Sequence, residues 1–365
     1  MVDYVEKIKE LEDELKKTKY NKKTQHHIGL TKAKLAQLKE KQISRGKGGK
    51  KGEGYSVRKA GDASVILIGF PSAGKSTLLN SVTGADSPVA EYEFTTLDVV
   101  PGMLEHKDAK IQILDVPGIV AGAASGRGRG REVLSVIQNA DFIIIVIDVN
   151  RPQALDVIKK ELFDAHIRMN QHLCDIKLKK TSKGGIKIGR TVKTPKLTNE
   201  TIKTVLKEFR IMNADIVIRE RIDTDQLIDT IEGNKKYIPG IVVLNKIDMV
   251  SKEELEKVVK KIKPDLMISA KEKVNMEELK HLIFNRLDFI RVYCKEVGKK
   301  ADMGVPLIMT RGDTLKDMCL KLHKDFLQNF KFSKIWGPSV KFGGQRVMKL
   351  KHKLKDMDVV ELHIR

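Results

Sequence analysis

The pattern of apolar and polar positions changes character several times along this chain of 365 residues. Near the start, from Val5 to Leu15, apolar side chains recur at helical spacing, and the same spacing returns from Ile28 after a break at "KYNKK". We therefore predict two helices that form a hairpin over residues 1–44. Residues 45–59 are too rich in glycine and lysine to pack, and we interpret them as a basic linker.

From Ser64 onward, short apolar runs alternate with helical stretches, and this alternation resumes at Gly240 after an interruption. Strands that alternate with helices are typical of an α/β fold, in which a mostly parallel sheet carries helices on both faces. We assign residues 60–170 and 236–290 to this domain.

The interruption, residues 171–235, differs in composition. It begins with the basic, turn-rich segment "KLKKTSKGGIKIGRTVKTPKLTNE", which leads into a helix-like run after Asn199 and an alternating run from Ala214. A structureless loop of this length would be unusual in a compact protein. We predict an inserted small α+β domain.

The last residues, 291–365, predict a compact β-rich module. It contains the apolar run "VPLIMT", a helix that starts with a capping box at Thr314 and Asp317 and extends to Phe326, and two short strand-like runs, "SVKF" and "VVELHI".

The formal net charge is +21, and the basic residues are unevenly placed. Lys and Arg number 15 against 2 acids in residues 16–59, 11 against 3 in residues 171–210, and 17 against 8 in residues 291–365. Basic segments that flank a more acidic middle favour a surface that binds a polyanion. The alternative is that these lysines are solvated positions on helix faces with no binding role.

The three cysteines are far apart and form no C-x-x-C pair, so they favour neither a disulfide framework nor a zinc site. A reducing, cytoplasmic location is the simplest expectation. The longest apolar run, "FIIIVI", is far shorter than the roughly 20 residues that span a bilayer, and no membrane targeting is expected.

The segment "GFPSAGKS", Gly69 to Ser76, matches the G-x-x-x-x-G-K-[ST] pattern between a predicted strand and a predicted helix. In such a loop the backbone amides cradle phosphates, Lys75 reaches the β and γ oxygens, and the Ser76 hydroxyl binds magnesium. The residues that we expect around the phosphates are Gly69, Ser72, Ala73, Gly74, Lys75, Ser76 and Thr77.

A second motif is "ILDVPG", in which an apolar strand ends at Asp115 and a turn follows. Asp115 can hold magnesium through a water molecule, and the Gly118 amide can bond to a γ-phosphate and respond to its loss. The alternative is an ordinary Asp-Pro-Gly turn.

A third motif, "VVLNKID", selects the base. Asp248 can accept both the N1 and N2 hydrogens of guanine, a pair that adenine does not offer. Asn245 and the Lys246 stem would brace the loop and cover the purine, and the Ala270 amide of "MISAK" can bond to the guanine O6. The predicted base site therefore consists of Asn245, Lys246, Asp248, Ser269, Ala270 and Lys271.

The order GFPSAGKS, YEFTTL, DVPG, NKID and SAK resembles the translation-factor-related small GTPases of the Obg-like branch. Over nearly its full length the chain resembles the developmentally regulated GTP-binding protein family. The resemblance includes the N-terminal "NKKTQHHIGLTKAKLAQL", the basic insert, and a C-terminal module similar to a TGS domain with a ubiquitin-like β-grasp fold.

The resemblance implies that Thr96 binds magnesium in a first switch, with Thr95 the less favoured candidate. Lys75, Thr96 and Gly118 would then act on the reacting phosphate. The glycine-rich "GIVAGAASGRGRGR" that begins at Gly118 would be the second switch, although an RGG-type RNA tract is the alternative. Ile119 stands where Ras-like enzymes have a glutamine, so slow intrinsic hydrolysis is expected.

The resemblance further implies a magnesium-dependent, GTP-hydrolysing switch that binds ribosomes or RNA and acts in translation, with GTP or GDP as its nucleotide. Potassium stimulation is left open, because Ser72 stands where some relatives carry an asparagine. An accessory regulatory protein is a further candidate partner, whereas a membrane and sequence-specific DNA are not expected. The alternatives are an RNA-binding scaffold in which nucleotide only stabilises the fold and, more weakly, a membrane-recruited signalling GTPase.

Overall fold

The computed structural model describes residues 4–19, 21, 24–45, 60–83, 100–116, 136–195 and 197–364. Its helices are α1 (Tyr4–Lys17), α2 (Gln25–Arg45), α3 (Lys75–Thr83), α4 (Ala154–Asp164), α5 (Asn199–Glu208), α6 (Thr224–Glu232), α7 (Lys252–Ile262), α8 (Met276–Arg286), α9 (Leu315–Leu322) and α10 (Lys324–Gln328). Its strands are β1 (Ala63–Ile68), β2 (Val100–His106), β3 (Ala109–Asp115), β4 (Phe142–Asp148), β5 (Ile167–Met169), β6 (Ile176–Lys180), β7 (Ile186–Arg190), β8 (Ala214–Ile218), β9 (Lys236–Ile238), β10 (Gly240–Asn245), β11 (Leu266–Met267), β12 (Phe289–Lys295), β13 (Leu307–Thr310), β14 (Phe330–Trp336), β15 (Gln345–Val347) and β16 (Asp358–Ile364).

The described residues form two compact units. The first is drawn from residues 1–55, 120–138 and 156–238, and the second from residues 56–119, 139–155 and 239–365. The first unit thus includes residues 156–170 and 236–238, which the sequence assigned to the α/β domain. The predicted domain bounds stay a prediction.

The first unit contains the two N-terminal helices that the apolar spacing predicts. Helix α2 contacts α5 and α6. The approach is close, because a Cβ added at Gly29 would come within 2.6 Å of the Thr201 Cγ2 atom. The shared core is apolar and includes Ala33, Leu197, Ile202, Val205, Leu206, Ile216, Ile218 and Leu227.

The insert in this unit contains a three-stranded sheet in the order β6-β8-β7. Strand β6 is antiparallel to β8, and β7 is parallel to it. The helix predicted after Asn199 is α5. Its N-cap is Thr198, whose side chain accepts a hydrogen bond from the Thr201 amide. Helix α6 begins with a capping box between Asp223 and Gln226.

The first unit also holds a buried ion pair. Arg168 on β5 donates two hydrogen bonds to the Asp229 carboxylate on α6, at 2.6 and 2.7 Å. Both side chains are almost fully buried, at 3% and 5% exposed. The remaining Arg168 terminal nitrogen, Nη1, donates to the Phe163 carbonyl at 2.8 Å. The fold therefore supplies partners for this buried charge.

The second unit is built on a six-stranded sheet in the order β11-β10-β4-β1-β3-β2. All neighbouring pairs are parallel except β2 with β3. Helices α3 and α8 pack their apolar side chains against it. The prediction of an α/β fold with a mostly parallel sheet is confirmed. Because the five parallel strands run in one direction, their carboxyl ends meet at one edge.

The C-terminal module forms a five-stranded sheet in the order β13-β12-β16-β14-β15 over helix α9. The predicted capping box is confirmed, since the Thr314 amide donates to the Asp317 carboxylate at 2.8 Å and the Thr314 hydroxyl donates to the same carboxylate at 2.6 Å. The predicted helix ends earlier than Phe326, because His323 has extended backbone and separates α9 from α10.

The predicted strand at "SVKF" is wrong. Residues 339–342 form turns and bends between β14 and β15. Their amides bond locally or to side chains, as the Ser339 amide does to Asp358 at 3.1 Å and the Lys341 amide to Gln345 at 2.9 Å. With those amides used, the segment has few donors left for a strand ladder.

Candidate nucleotide-binding site

The loop from Gly69 to Gly74 follows strand β1 and leads directly into helix α3. Its two motif glycines are required by close approaches. A Cβ at Gly69 would lie 2.5 Å from the Val146 carbonyl oxygen, and one at Gly74 would lie 2.3 Å from the Asn245 amide nitrogen. Gly74 also has a φ of +90°, a backbone conformation that residues with a side chain rarely adopt. Ser72, exposed at the tip, is left-handed as well, with a φ of +65°.

The amides at the start of α3 form a candidate anion site. The Leu78 amide donates to the Gly74 carbonyl at 2.9 Å and closes the first helical turn. The amides of Lys75, Ser76 and Thr77 precede that bond and have no intrahelical acceptor. They also meet the positive end of the helix dipole, and phosphate is the anion that such an arrangement binds. The Ala73 amide instead donates to the Phe70 carbonyl at 3.2 Å.

The Lys75 side chain is buried against this loop. Its ammonium group donates to the Gly69 carbonyl at 3.0 Å and to the Phe70 carbonyl at 3.4 Å. Burial lowers the pKa of Lys75, and the nearby Asp115 carboxylate partly opposes that shift. The loop thus holds a cation against neutral carbonyls, which a phosphate can replace with a stronger, charge-assisted partner.

Asp115 ends strand β3 at the same edge. Its Oδ2 atom accepts a hydrogen bond from the Ser76 hydroxyl at 2.6 Å. Its Oδ1 atom is buried and has no partner among the described residues. A hydroxyl and a carboxylate with a free oxygen are ligands that suit magnesium, directly or through water. The residues present therefore fit the predicted ion, and the Ser76 and Asp115 positions are brought together as expected.

Asn245 connects three segments of this site. Its buried side chain donates from Nδ2 to the Ala73 carbonyl at 2.8 Å and accepts at Oδ1 from the Ala270 amide at 3.0 Å. The side-chain amide of Asn245 thereby joins the phosphate loop, the NKID segment and the SAK segment. The Ala270 amide, predicted to bond to guanine O6, is held by Asn245 in the structure, so its role toward the base stays a prediction.

Lys246 and Asp248 have different surroundings. The Lys246 ammonium pairs with the Asp148 carboxylate at 2.7 Å, and Lys246 has a left-handed φ of +66°. Asp248 is exposed in a short 3-10 turn and makes no hydrogen bond or ion pair with any described residue. An exposed carboxylate without a partner is free to accept from a base.

Asp148 was not predicted from the sequence. It ends strand β4 and stands directly opposite Asn245 in the parallel register. Burial acts to raise its pKa, but hydrogen bonds from Lys246 and Asn150 outweigh this and lower the pKa. The signal was available, because "VIDVN" ends an apolar run in an acid just as "ILDVPG" does.

Some of the remaining predicted residues are described by the structure, and others lie outside it. Ser269 is buried and accepts a hydrogen bond from the Glu272 amide at 3.1 Å, so it shapes the turn after β11. Lys271 is exposed, with its ammonium 3.8 Å from a Glu272 oxygen. Thr95, Thr96, Gly118 and Ile119 lie outside the described residues.

Two features are absent from the described part of the chain. No group of three or more His, Cys, Asp or Glu side chains there is arranged to hold a metal ion. None of its helices combines the length and the apolar character that crossing a membrane requires.

A phosphate loop on an interior strand of a mostly parallel sheet, with NKID and SAK segments joined to it by one asparagine, defines the P-loop class of GTP-binding proteins. Comparison with known families agrees. Residues 64–180 match the 50S ribosome-binding GTPase model, residues 183–289 match the C-terminal region of that domain, and residues 290–364 match the TGS domain.

Curated relatives match over almost the whole chain. A GTP-binding protein of Methanocaldococcus jannaschii is 50% identical over 364 residues, covering 99% of this chain and 93% of that protein. Developmentally-regulated GTP-binding protein 1 of Xenopus laevis is 44% identical, covering 98% of each chain. Ribosome-interacting GTPase 1 of Saccharomyces cerevisiae is also 44% identical with 98% of each covered. The chain belongs to the developmentally regulated GTP-binding protein family, with a GTPase domain and a C-terminal TGS domain.

Proposed function

We propose that this protein hydrolyses GTP as a molecular switch that associates with ribosomes or RNA and acts in translation. The observation that carries the proposal is Asp115, a buried carboxylate bonded to Ser76 and left with one unpartnered oxygen. A passive nucleotide site needs a phosphate loop and a base contact. It has no need of a costly buried acid at the end of the strand that leads into the DVPG segment.

The phosphate end of the mechanism follows from the first turn of α3. The amides of Lys75, Ser76 and Thr77 hold the phosphates in place, and the Lys75 ammonium moves from loop carbonyls to phosphate oxygens. Ser76 and Asp115 would hold magnesium. When bound, the ion neutralises charge that develops on the β and γ oxygens during transfer.

The switch residues complete the proposal. Thr96 would contact magnesium only in the triphosphate state, and the Gly118 amide would bond to the γ-phosphate, so that loss of this phosphate releases both segments. Because Ile119 cannot orient a water molecule, the free enzyme hydrolyses slowly. A ribosome, or an accessory protein bound with it, would then supply the missing group. A potassium ion near Ser72 would be a second source of positive charge at the phosphates, and a comparison of hydrolysis rates in potassium and sodium buffers tests this.

Three observations support the ribosome or RNA as partner. The matching family model is described as a 50S ribosome-binding GTPase, and the yeast relative is named for interaction with ribosomes. The basic segments of this chain provide a complementary charge for RNA. A cytoplasmic site of action accords with a ribosomal partner.

The decisive experiment measures GTP hydrolysis by Thr96→Ala with and without purified ribosomes, using Thr95→Ala as the matched control. We expect Thr96→Ala to keep GDP affinity and lose most hydrolysis, while Thr95→Ala retains it. The parent protein should be accelerated by ribosomes. A scaffold would show no acceleration and equal RNA affinity with GDP and with a non-hydrolysable GTP analogue, and that combination would overturn the switch.

A further inference from the structure

The insert presents one face of its three-stranded sheet to solvent. The opposite face packs Ile176, Leu178, Ile186 and Ile188 against the core. Side chains alternate along each strand, so the neighbouring residues point the other way. In the observed register Lys179 and Lys187 stand on either side of Asp215, and Lys177 and Gly189 stand on either side of Val217. The outer sheet face is therefore Lys177, Lys179, Lys187, Gly189, Asp215 and Val217.

The lysines on this face form no close ion pair within the described part of the chain, and they outnumber its acids. The ammonium groups of Lys177, Lys179 and Lys187 are exposed and make no ion pair or hydrogen bond with any described residue. Two acids nearby are already held, since Asp175 pairs with Arg219 at 3.2 Å and Glu220 with His172 at 3.0 Å. Lys180, at the end of β6, and Lys183, in the connection from β6 to β7, are also exposed. Asp215, between Lys179 and Lys187, is the one acid of the outer sheet face and offsets one of its three lysines, so the face keeps a net positive charge.

Gly189 is the second, independent observation. It lies inside strand β7, is exposed, and does not have a left-handed φ. A Cβ added there would meet Val217 Cγ2 at 3.7 Å and the Ile216 carbonyl at 3.8 Å, which are ordinary contacts. Neither conformation nor packing therefore requires glycine. Glycine weakens a strand interior, and where the fold does not need it, it often marks the close approach of a ligand.

We propose that the outer sheet face is a docking surface for the RNA sugar-phosphate backbone, with its closest approach at Gly189. This inference rests on the proposed association with RNA and assigns it a place. The cations of this face are lysine ammonium groups, which bind phosphate as point charges, and Val217 is its one apolar side chain. A membrane-inserting surface or a protein hot spot would need larger apolar anchors. RNA is therefore bound here through shape and charge, with little sequence preference.

The test uses full-length protein and an RNA duplex of about 20 base pairs, with affinity measured across salt concentrations. Replacing both Lys179 and Lys187 with alanine should reduce the log-log salt slope by at most about 1.4 to 1.8, which corresponds to two phosphate contacts. The matched control replaces Lys203 and Lys207, which are exposed on helix α5 of the same insert, and should leave the slope unchanged.

Gly189→Val tests close approach without changing charge. We expect RNA affinity to fall on the order of five- to ten-fold, and by less in Gly189→Ala, while the melting temperature equals or exceeds that of the parent. GDP affinity should be the same in all variants. If the double lysine-to-alanine variant and Gly189→Val both bind RNA with the affinity of the parent, the outer sheet face is not the docking surface.

Two other outcomes separate this inference from the proposed function. If the parent binds neither the duplex nor ribosomes, the proposed RNA association itself fails. If the double lysine-to-alanine variant loses binding to vesicles of phosphatidylserine and phosphatidylcholine but keeps RNA affinity, the outer sheet face is a lipid-binding surface. That result would overturn the RNA assignment.

Discussion

Asp115 and Asp229 are two carboxylates of nearly equal burial, at 6% and 5% exposed, in very different surroundings. Asp229 receives two hydrogen bonds from Arg168 and lies 3.9 Å from the Lys235 ammonium. Asp115 receives one hydrogen bond, from the neutral Ser76 hydroxyl, and its second oxygen has no partner in the described part of the chain.

The difference shows what each acid contributes. A buried charge that the fold fully pairs can be explained by structure alone, because its partners come from the protein. A buried charge that the fold leaves partly unpaired lowers stability, and its retention requires a partner from outside. Neutral groups such as the Gln112 Nε2 atom are also unpartnered, but a neutral amide costs less than a charge.

The largest effect is expected at the paired acid. Arg168→Ala leaves the buried Asp229 without the two hydrogen bonds that pair its charge, and the Lys235 ammonium at 3.9 Å does not replace them, so the free energy of unfolding should fall by about 3 to 5 kcal/mol in urea titrations. As control, the double variant Arg168→Met with Asp229→Leu removes both charges and should recover much of the loss. An Arg168→Ala protein as stable as the parent would show that the pair does not hold β5 and α6 together.

The next effect concerns an acid that the fold does not use at all. Asp248→Asn should weaken GTP binding by about 2 to 4 kcal/mol, because a charged two-point contact to guanine is lost. Preference should shift toward xanthosine triphosphate, whose 2-oxo group suits an amide donor. Since Asp248 is exposed and unpaired, thermal stability should stay unchanged. Unchanged GTP affinity by calorimetry would place the base elsewhere.

Asp115→Asn should not cause the loss of stability that is expected of Arg168→Ala. Replacing a half-paired buried charge with a neutral amide should leave the free energy of unfolding equal or higher. Magnesium-dependent GTP affinity should fall roughly 10- to 100-fold, the usual effect of losing a residue that orients the metal's ligands. GDP binding in EDTA serves as the control and should change little. If GTP affinity depends on magnesium concentration in the same way for the variant and the parent, Asp115 has a structural role, as Asp229 does, and does not hold magnesium.

The positions of the phosphate loop and of two strand-end residues could be read from local sequence, while their roles stay predictions. Asp115 and Asn245 each follow an apolar run directly, and Lys75 belongs to a G-x-x-x-x-G-K-[ST] motif that begins directly after such a run. Thr96 and Gly118 lie outside the described residues and stay predictions. Asn245 was expected to brace the loop, but its particular partners, Ala73 and Ala270, could not be named from local sequence, since these contacts span 172 and 25 residues of chain.

The insert shows why other features were missed. Arg168 and Asp229 are 61 residues apart, and neither position stands out in a sequence with 32% charged residues. Strands β6 and β7 alternate apolar and basic residues, as in "IKLKK" and "IKIGR", but this segment was described from the sequence only as basic and turn-rich within an inserted α+β domain, with no strands placed in it. Period-two alternation was the correct signal, and the basic composition concealed it.

The smallest effect is expected at Asp148, which is intermediate between the two acids compared above. It is 13% exposed, pairs with Lys246 at 2.7 Å, and is bonded by the Asn150 amide at 2.9 Å. Asp148→Asn should free the Lys246 stem and weaken GDP and GTP binding by about 0.5 to 1.5 kcal/mol, since the pair is partly exposed. In a Lys246→Ala background the same change should have almost no effect, and this cycle measures the coupling directly. The pKa of Asp148 is lowered in the fold. Its contribution to the free energy of unfolding should therefore be constant at pH values above the ordinary pKa of 3.8 and disappear as the pH falls through the lower folded-state pKa. Equal losses in both backgrounds would show that Asp148 shapes the end of β4 through Asn150 and does not position the lysine.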